Sequence, residues 1–323
     1  MSVPRFLVAV HGGAGRLARR KLEEPGRTPL EQGIVRALTV GENILKRGGK
    51  ALRAVTAAVA VLEDDGLFNA GKGAALCHDG TVELSASLMD GRMLRTGAMV
   101  GMKRTRNPIL AARALLNHQH GLLFGEAADQ FAEAAKLEMV APEYFLTPHR
   151  QKQWRRARDQ GKIELDHSDG EGTHGTVGAV ARDAHGNLAA ATSTGGLVNQ
   201  LRGRVGDTPI VGSGTWADNH TAAISATGKG DAFSRIAFAR RVADLIELRG
   251  MDPSTAASQA LDELRSIGGI GGCIVIDHLG QFSASFNSPQ MVRGYVDSEA
   301  SPKVGILPTD WKPITPNTLA VAS

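Results

Sequence analysis

The 323-residue chain is predicted to be an α+β protein in which helices cover antiparallel sheets. Its strand-like segments come in pairs joined by short, turn-rich links, which suit hairpins rather than the long crossovers that parallel strands need. Its helical segments gather in blocks instead of alternating one for one with strands. With 42% hydrophobic and 22% charged residues, the chain can bury a large core, as one large domain or two.

Residues 6–10, Phe-Leu-Val-Ala-Val, form an apolar run of buried-strand length. Two helices are expected over 30–46 and 50–65. Residues 82–89 and 96–102 read as strands. Helices then fill the stretch from Asn107 to Asp159, where Pro108 suits a first helical turn that has no use for its missing N–H. Residues 161–175 break the pattern: they are polar and carry Asp166, Asp169 and Glu171 beside Gly170 and Gly172, with no apolar period, and are the linker candidate. Strands over 177–182 and 188–192 are joined by Asp183-Ala184-His185-Gly186-Asn187, a hairpin connection. A short strand at 222–225 precedes helices over 231–248 and 254–267, and a second hairpin, 273–277 with 281–286, turns at His278-Leu279-Gly280. There is no internal repeat and no low-complexity tail.

The formal charge of +4 is small, and Arg104, Arg106, Arg155, Arg156 and Arg158 are scattered over polar helix faces. Solvated faces are expected, with no nucleic-acid partner. Cys77 and Cys273 lie in or beside apolar runs without CxxC or His-rich spacing, and read as reduced core residues. The 6–10 run is too short for a signal-peptide core or a bilayer span, so a cytoplasmic protein with no membrane partner is expected.

The most informative residue is Thr176, which comes after the polar 161–175 stretch and opens an apolar strand. If the Gly175–Thr176 bond were cut by the chain itself, the freed threonine would carry a hydroxyl nucleophile and a primary amine. An α-amino group titrates near 7.7 to 8.0 and so can act as general base at neutral pH. An internal amide nitrogen cannot, so the uncut chain would be a precursor. Glycine before the bond permits backbone conformations that other residues resist.

The segment Gly175-Thr176-Val177-Gly178-Ala179-Val180 and the run from Asp183 through Thr194-Gly195-Gly196 resemble the plant-type asparaginases, also called isoaspartyl peptidases, which are N-terminal-nucleophile hydrolases. The resemblance continues through Gly203-Arg204-Val205-Gly206-Asp207-Thr208-Pro209 and Ala226-Thr227-Gly228-Lys229-Gly230-Asp231. It reaches back to His11-Gly12-Gly13-Ala14-Gly15 and Leu67-Phe68-Asn69-Ala70-Gly71-Lys72-Gly73. Motifs in the family's order cover nearly the whole chain. The resemblance implies a four-layer αββα sandwich, a single catalytic domain over 1–323, and cleavage into an α subunit (1–175, ending in the 161–175 linker) and a β subunit (176–323). It also implies a dimer of αβ units. The element pattern is compatible with that fold, but by itself also with a simpler α+β sandwich.

The resemblance assigns roles residue by residue. Thr176 is the nucleophile and Thr194 orients or activates it. The Thr227 hydroxyl and the Gly228 amide serve a tetrahedral oxyanion. Arg204 meets the substrate carboxylate with a planar fork, while Asp207 and the Gly230 carbonyl meet its amine. Asn69 supports the nucleophile's surroundings. The backbone carbonyls of Leu62, Glu63, Asp65, Phe68, Ala70 and Lys72 would bind a structural sodium ion, and catalysis would need no cofactor. The implied substrates are L-asparagine and β-aspartyl dipeptides, hydrolysed through a β-aspartyl-threonine acyl-enzyme.

His11-Gly12-Gly13-Ala14-Gly15 after a strand looks superficially like a dinucleotide-binding turn but lacks the full G-x-G-x-x-G spacing; by resemblance it lies near the active site and shapes the core. Three residues depart from the commoner family pattern: Lys72, Lys229 and Asp231, standing where an apolar residue, a small or polar residue and glutamate are usual. Alternative readings are a glycosylasparaginase-like hydrolase or the threonine protease taspase on the same fold, or a non-catalytic protein that binds an amino acid through Arg204 and Asp207.

Overall fold

A computed structural model of the protein describes residues 5–17, 22–23, 27–163 and 175–314. Strand β1 (Leu7–Gly15) extends past the expected 6–10 run through the whole glycine-rich segment. Glycine is a poor strand former, and here the pairing is one-sided: β5 partners β1 only as far as His11, and the β11 register shifts between His11 and Ala14 before resuming at Ala14 and Gly15. The other strands are β2 (Leu84–Asp90), β3 (Arg95–Met102), β4 (Leu122–Phe124), β5 (Val177–Arg182), β6 (Leu188–Thr194), β7 (Thr215–Ala217), β8 (Ala222–Gly228), β9 (Gly271–Asp277), β10 (Phe282–Phe286), β11 (Gln290–Asp297), β12 (Lys303–Gly305) and β13 (Lys312–Pro313). Among the described residues they form a nine-stranded sheet, ordered β13-β12-β11-β1-β5-β6-β2-β3-β4, and a four-stranded sheet, ordered β10-β9-β8-β7. Described neighbours pair antiparallel, apart from the parallel β3–β4 contact.

Helices α1 (Thr28–Lys46) and α2 (Ala51–Asp64) match expectation. The helical stretch expected from 107 to 159 is interrupted: α3 (Pro108–Leu115), strand β4, α4 (Gly125–Ala134), a 3-10 turn (Pro142–Phe145) and α5 (Pro148–Asp159) succeed one another. Helix α5 starts at Pro148 because the Thr147 hydroxyl caps it, accepting from the Arg150 N–H at 3.3 Å. The helix expected over 231–248 is two, α6 (Gly230–Arg235) and α7 (Phe238–Arg249), broken where Ala237 takes a left-handed conformation at φ 48°. Helix α8 (Pro253–Ser266) is capped by the Asp252 carboxylate, which accepts from the Ser254 and Thr255 N–H groups.

Every residue of β1, β6 and β9 is buried, and strand alternation sends successive side chains into different cores. Val8 and Val10 join Leu38, Val55 and Val59 of α1 and α2. Leu7 and Ala9, one residue out of phase, join Ala223, Ile274 and Ile276 of the smaller sheet. On β9 the same switch occurs: Cys273 and Val275 pack with Phe238, Val242 and Leu264. Cys77 and Cys273 are buried and free of disulfides. No described helix is long and apolar enough to cross a membrane.

The β5–β6 hairpin is anchored at its turn. The Asp183 carboxylate accepts from the His185 and Asn187 N–H groups, both at 3.0 Å, and from the Ala51 N–H at 3.1 Å. One buried side chain thus shapes the turn and ties it to the start of α2.

Candidate active site

The hairpin register sets Val177 opposite Ser193, which brings Thr176 beside Thr194 at the open end of the pair. Thr176 Oγ1 donates to Thr194 Oγ1 at 3.0 Å, and both residues are buried. Thr194 Oγ1 also accepts from the Gly196 N–H at 3.1 Å. Asn69 fastens the adjoining turn: its carbonyl accepts from Gly195 N–H at 3.1 Å and its Nδ2 donates to the Gly196 carbonyl at 2.8 Å. Its Oδ1 in turn accepts from the Ala75 N–H at 2.7 Å. Asn69 therefore bridges the 62–73 loop and the end of β6, with both polar atoms of its side chain used.

The glycine-rich end of β1 packs directly on the Gly175–Thr176 junction. Gly13 sits at φ 109°, and a Cβ there would collide with the backbone of Gly175. Gly13→Ala is expected to cost about 2 to 3 kcal/mol of stability, combining backbone strain with an overpacked contact. A thermal melt or denaturant titration unchanged from the parent would show that the two segments do not touch. His11, fully buried, lies 2.9 Å from Ser225 Oγ through Nε2. Burial pushes its imidazole down to about 3, against a smaller opposing hydrogen bond with the Thr176 backbone, so the ring is neutral at pH 7. Gly178 leaves room for this contact, since a Cβ at that position would overlap both Ser225 Oγ and His11 Nε2. The roles of His11, Ser225 and Gly178 in this contact carry no separate signal in the sequence.

Thr227, fully buried, ends β8 with Gly228, and its Oγ1 accepts from the Ala14 N–H at 3.4 Å. Gly228 at φ 148° lies against Ile270 and Gly271 too closely for any side chain. The next turn meets Asp207, whose Oδ1 lies 2.5 Å from where a Gly230 Cβ would stand. Burial raises the Asp207 carboxyl to about 6, with the positive charge of Arg204 acting against it. Among the described residues its Oδ2 is buried without a partner. Arg204 Nη2 lies 3.1 Å from that same Gly230 Cβ position and pairs with Asp231 at 2.7 Å, while its Nη1 donates to Gln200 Oε1 at 3.3 Å. Partial burial works to raise the Asp231 carboxyl, but the hydrogen bond and charge of Arg204 outweigh it and hold it below the usual range. The sequence marked Asp231 as a mild departure and gave no sign that it is the arginine's partner. A cavity of about 560 Å³ opens here, lined in part by Gln200, Arg204, Lys229 and Asp231.

The 62–73 loop is closed by hydrogen bonds to two of its own carbonyls. The Glu63 carbonyl accepts from Lys72 N–H at 2.7 Å and the Asp65 carbonyl from Phe68 N–H at 3.2 Å. Gly73, at φ 94°, leaves no room for a side chain, since a Cβ there would meet the Gly66 and Phe68 carbonyl oxygens at 2.5 and 2.9 Å. The Lys72 ammonium stands 5.6 Å from the centre of the Tyr144 ring. The Glu63 carboxyl is fully buried and raised to about 8 by desolvation, against hydrogen bonds including one from Ser193 Oγ at 2.6 Å. Among the described residues no group of three His, Cys, Asp or Glu is placed to hold a metal ion.

The family described as Asparaginase matches residues 4–306 of this chain. The isoaspartyl peptidase of Salmonella typhimurium is 43% identical over 308 residues, covering 94% of this chain and 98% of the relative. The isoaspartyl peptidase of Escherichia coli is 42% identical over 308 residues, 94% and 96% of the two chains. The isoaspartyl peptidase/L-asparaginase of Danio rerio is 40% identical over 290 residues, 88% and 90%. With a family match over nearly its full length and relatives of this identity and coverage, the chain belongs to the asparaginase family.

Proposed function

We propose that this protein is a self-cleaving amidohydrolase that releases L-aspartate from β-aspartyl dipeptides and L-asparagine. The observation that carries the reading is the 3.0 Å hydrogen bond between Thr176 and Thr194 at the start of a buried strand, on a chain whose relatives are named isoaspartyl peptidases. Cleavage at Gly175–Thr176 gives subunits 1–175 and 176–323 and frees the Thr176 amine. The amine takes the hydroxyl proton, and Oγ1 attacks the side-chain carbonyl of the substrate. The Thr227 hydroxyl and Gly228 N–H stabilise the oxyanion, the leaving amine departs, and water releases aspartate from the β-aspartyl-Thr176 ester. Arg204 holds the substrate α-carboxylate, and Asp207 with the Gly230 carbonyl holds its ammonium group. Asn69 keeps Thr194 and the Gly195–Gly196 turn in place.

The core shared by both sheets, with helices on the outer face of each, supports reading the fold as a four-layer αββα sandwich of the N-terminal-nucleophile type. The backbone carbonyls of Leu62, Glu63, Asp65, Phe68, Ala70 and Lys72 are read as holding a structural sodium ion, a hard cation that would brace the loop carrying Asn69 and take no part in the chemistry. Two αβ units would pair as a dimer.

Intact-mass spectrometry, fresh and after incubation at neutral pH, tests the reading together with a β-Asp-Leu hydrolysis assay. Two fragments split before Thr176, with aspartate released, are expected; an uncut chain that binds aspartate without turnover refutes it. Activity should also fall towards acid pH in two stages. Both the Thr176 amine and Asp207 act deprotonated, so log kcat/KM should fall with unit slope below the amine's pKa, near 8, and with slope two below about pH 6, where Asp207 takes its proton. In Asp207→Asn the second steepening should vanish, and its persistence would assign it to another group.

A further inference from the structure

The cavity beside Arg204 holds a second cation besides the one assigned to the aspartyl half of a substrate. Lys229 lines it together with Arg204 and Asp231. Arg204 is paired with Asp231 at 2.7 Å, whereas the Lys229 ammonium makes no ion pair among the described residues and its side chain is exposed. Its backbone is fixed, since the Lys229 N–H donates to the Ile270 carbonyl at 2.9 Å. In chain order it stands between Gly228 and Gly230, which the functional reading above assigns to the oxyanion and to the substrate amine. The remaining wall is aliphatic: Leu197, Leu201 and Ile270 line the same space, and Leu201 is 65% exposed. An exposed aliphatic group next to a cation that makes no direct ion pair among the described residues, though its charge also helps hold the Asp231 carboxyl down, is the complement of an apolar amino acid with a free carboxylate.

Charge counting separates the two substrates. L-asparagine brings one carboxylate and one ammonium group, assigned above to Arg204 and Asp207, and its leaving group is ammonia, so it offers nothing further to Lys229. A β-aspartyl dipeptide brings a second carboxylate, on the residue beyond the scissile bond. We infer that Lys229 determines specificity by binding the C-terminal carboxylate of the leaving residue, while Leu197, Leu201 and Ile270 hold its apolar side chain. This rests on the functional reading above and adds to it a residue that sets the choice among its substrates.

The test compares β-Asp-Leu with β-Asp-leucinamide, which lacks only that charge, on the processed enzyme and its Lys229→Met and Lys229→Arg variants. Each acid-to-amide ratio of kcat/KM is taken within one preparation, so incomplete processing cancels. The parent should prefer the acid by about two- to fivefold, the scale of a partly exposed ion pair, through KM rather than kcat. Lys229→Met should bring the ratio to about one and Lys229→Arg should restore it. An equal ratio in parent and Lys229→Met overturns the assignment, as does a parent that turns over acid and amide alike. A parent that hydrolyses neither dipeptide nor L-asparagine overturns the functional reading itself, which is a separate outcome.

Discussion

Replacing Thr176 with alanine is expected to leave a full-length chain without hydrolytic activity. The substitution removes the only atom proposed both to attack the Gly175 carbonyl and to attack the substrate, so processing and turnover should fail together. Loss of a nucleophile of this kind costs on the order of 10⁴-fold or more in kcat. Misfolding would not explain the result, because the structure loses one hydroxyl with its hydrogen bond to Thr194 and one methyl group, together worth about 2 kcal/mol. The melting temperature should therefore stay within a few degrees of the uncut parent. Thr176→Ser keeps the hydroxyl and should still cleave. A cleaved or active Thr176→Ala protein, seen by intact mass and aspartate release, would remove Thr176 from the mechanism.

Arg204→Gln should lower kcat/KM for L-asparagine and for β-Asp-Leu alike, by about 10² to 10³. The fork that would hold the α-carboxylate is lost, and charge-assisted hydrogen bonds are worth about 1.5 to 3 kcal/mol each. The same change should move the acid limb. Arg204 lowers the Asp207 carboxyl against the effect of burial, so without it the carboxyl rises further and the steepening below pH 6 should begin at higher pH. Asp231 loses its ion-pair partner, but it is largely exposed and water replaces the arginine at small cost to stability. An unchanged KM for both substrates would place the carboxylate elsewhere. Loss confined to the dipeptide would mean that Arg204 serves the leaving residue instead of the aspartyl half.

Much of the site was legible along the chain because its chemistry is local. The shift from the polar 161–175 stretch to an apolar strand marks Thr176. Paired glycines mark Gly195–Gly196 and Gly228–Gly230 as places where backbone must come close, and the 183–187 turn marks a hairpin. The segment 164–174, which holds most of the predicted linker, lies outside the described residues.

The faces of the sheets were not legible. A strand buried on both sides shows a continuous apolar run, so Val8 and Ala9 look alike although they enter different cores. Strand β11 was missed for a related reason. Its Arg293 reads as a surface charge, yet it is buried against Trp311, with Nη1 donating to the Met291 carbonyl at 2.9 Å. Partners across the fold were equally hidden: His11 with Ser225, Glu63 with Ser193, Arg204 with Asp231.

The sequence by itself determined which reactive groups exist and where the backbone can bend, since those properties belong to single residues and their neighbours. Only the tertiary structure decided which groups meet. Hydrogen-bond register across β5, β6 and β1, and the packing of two sheets through one core, bring residues hundreds of positions apart within 3 Å. No spacing along the chain encodes that distance.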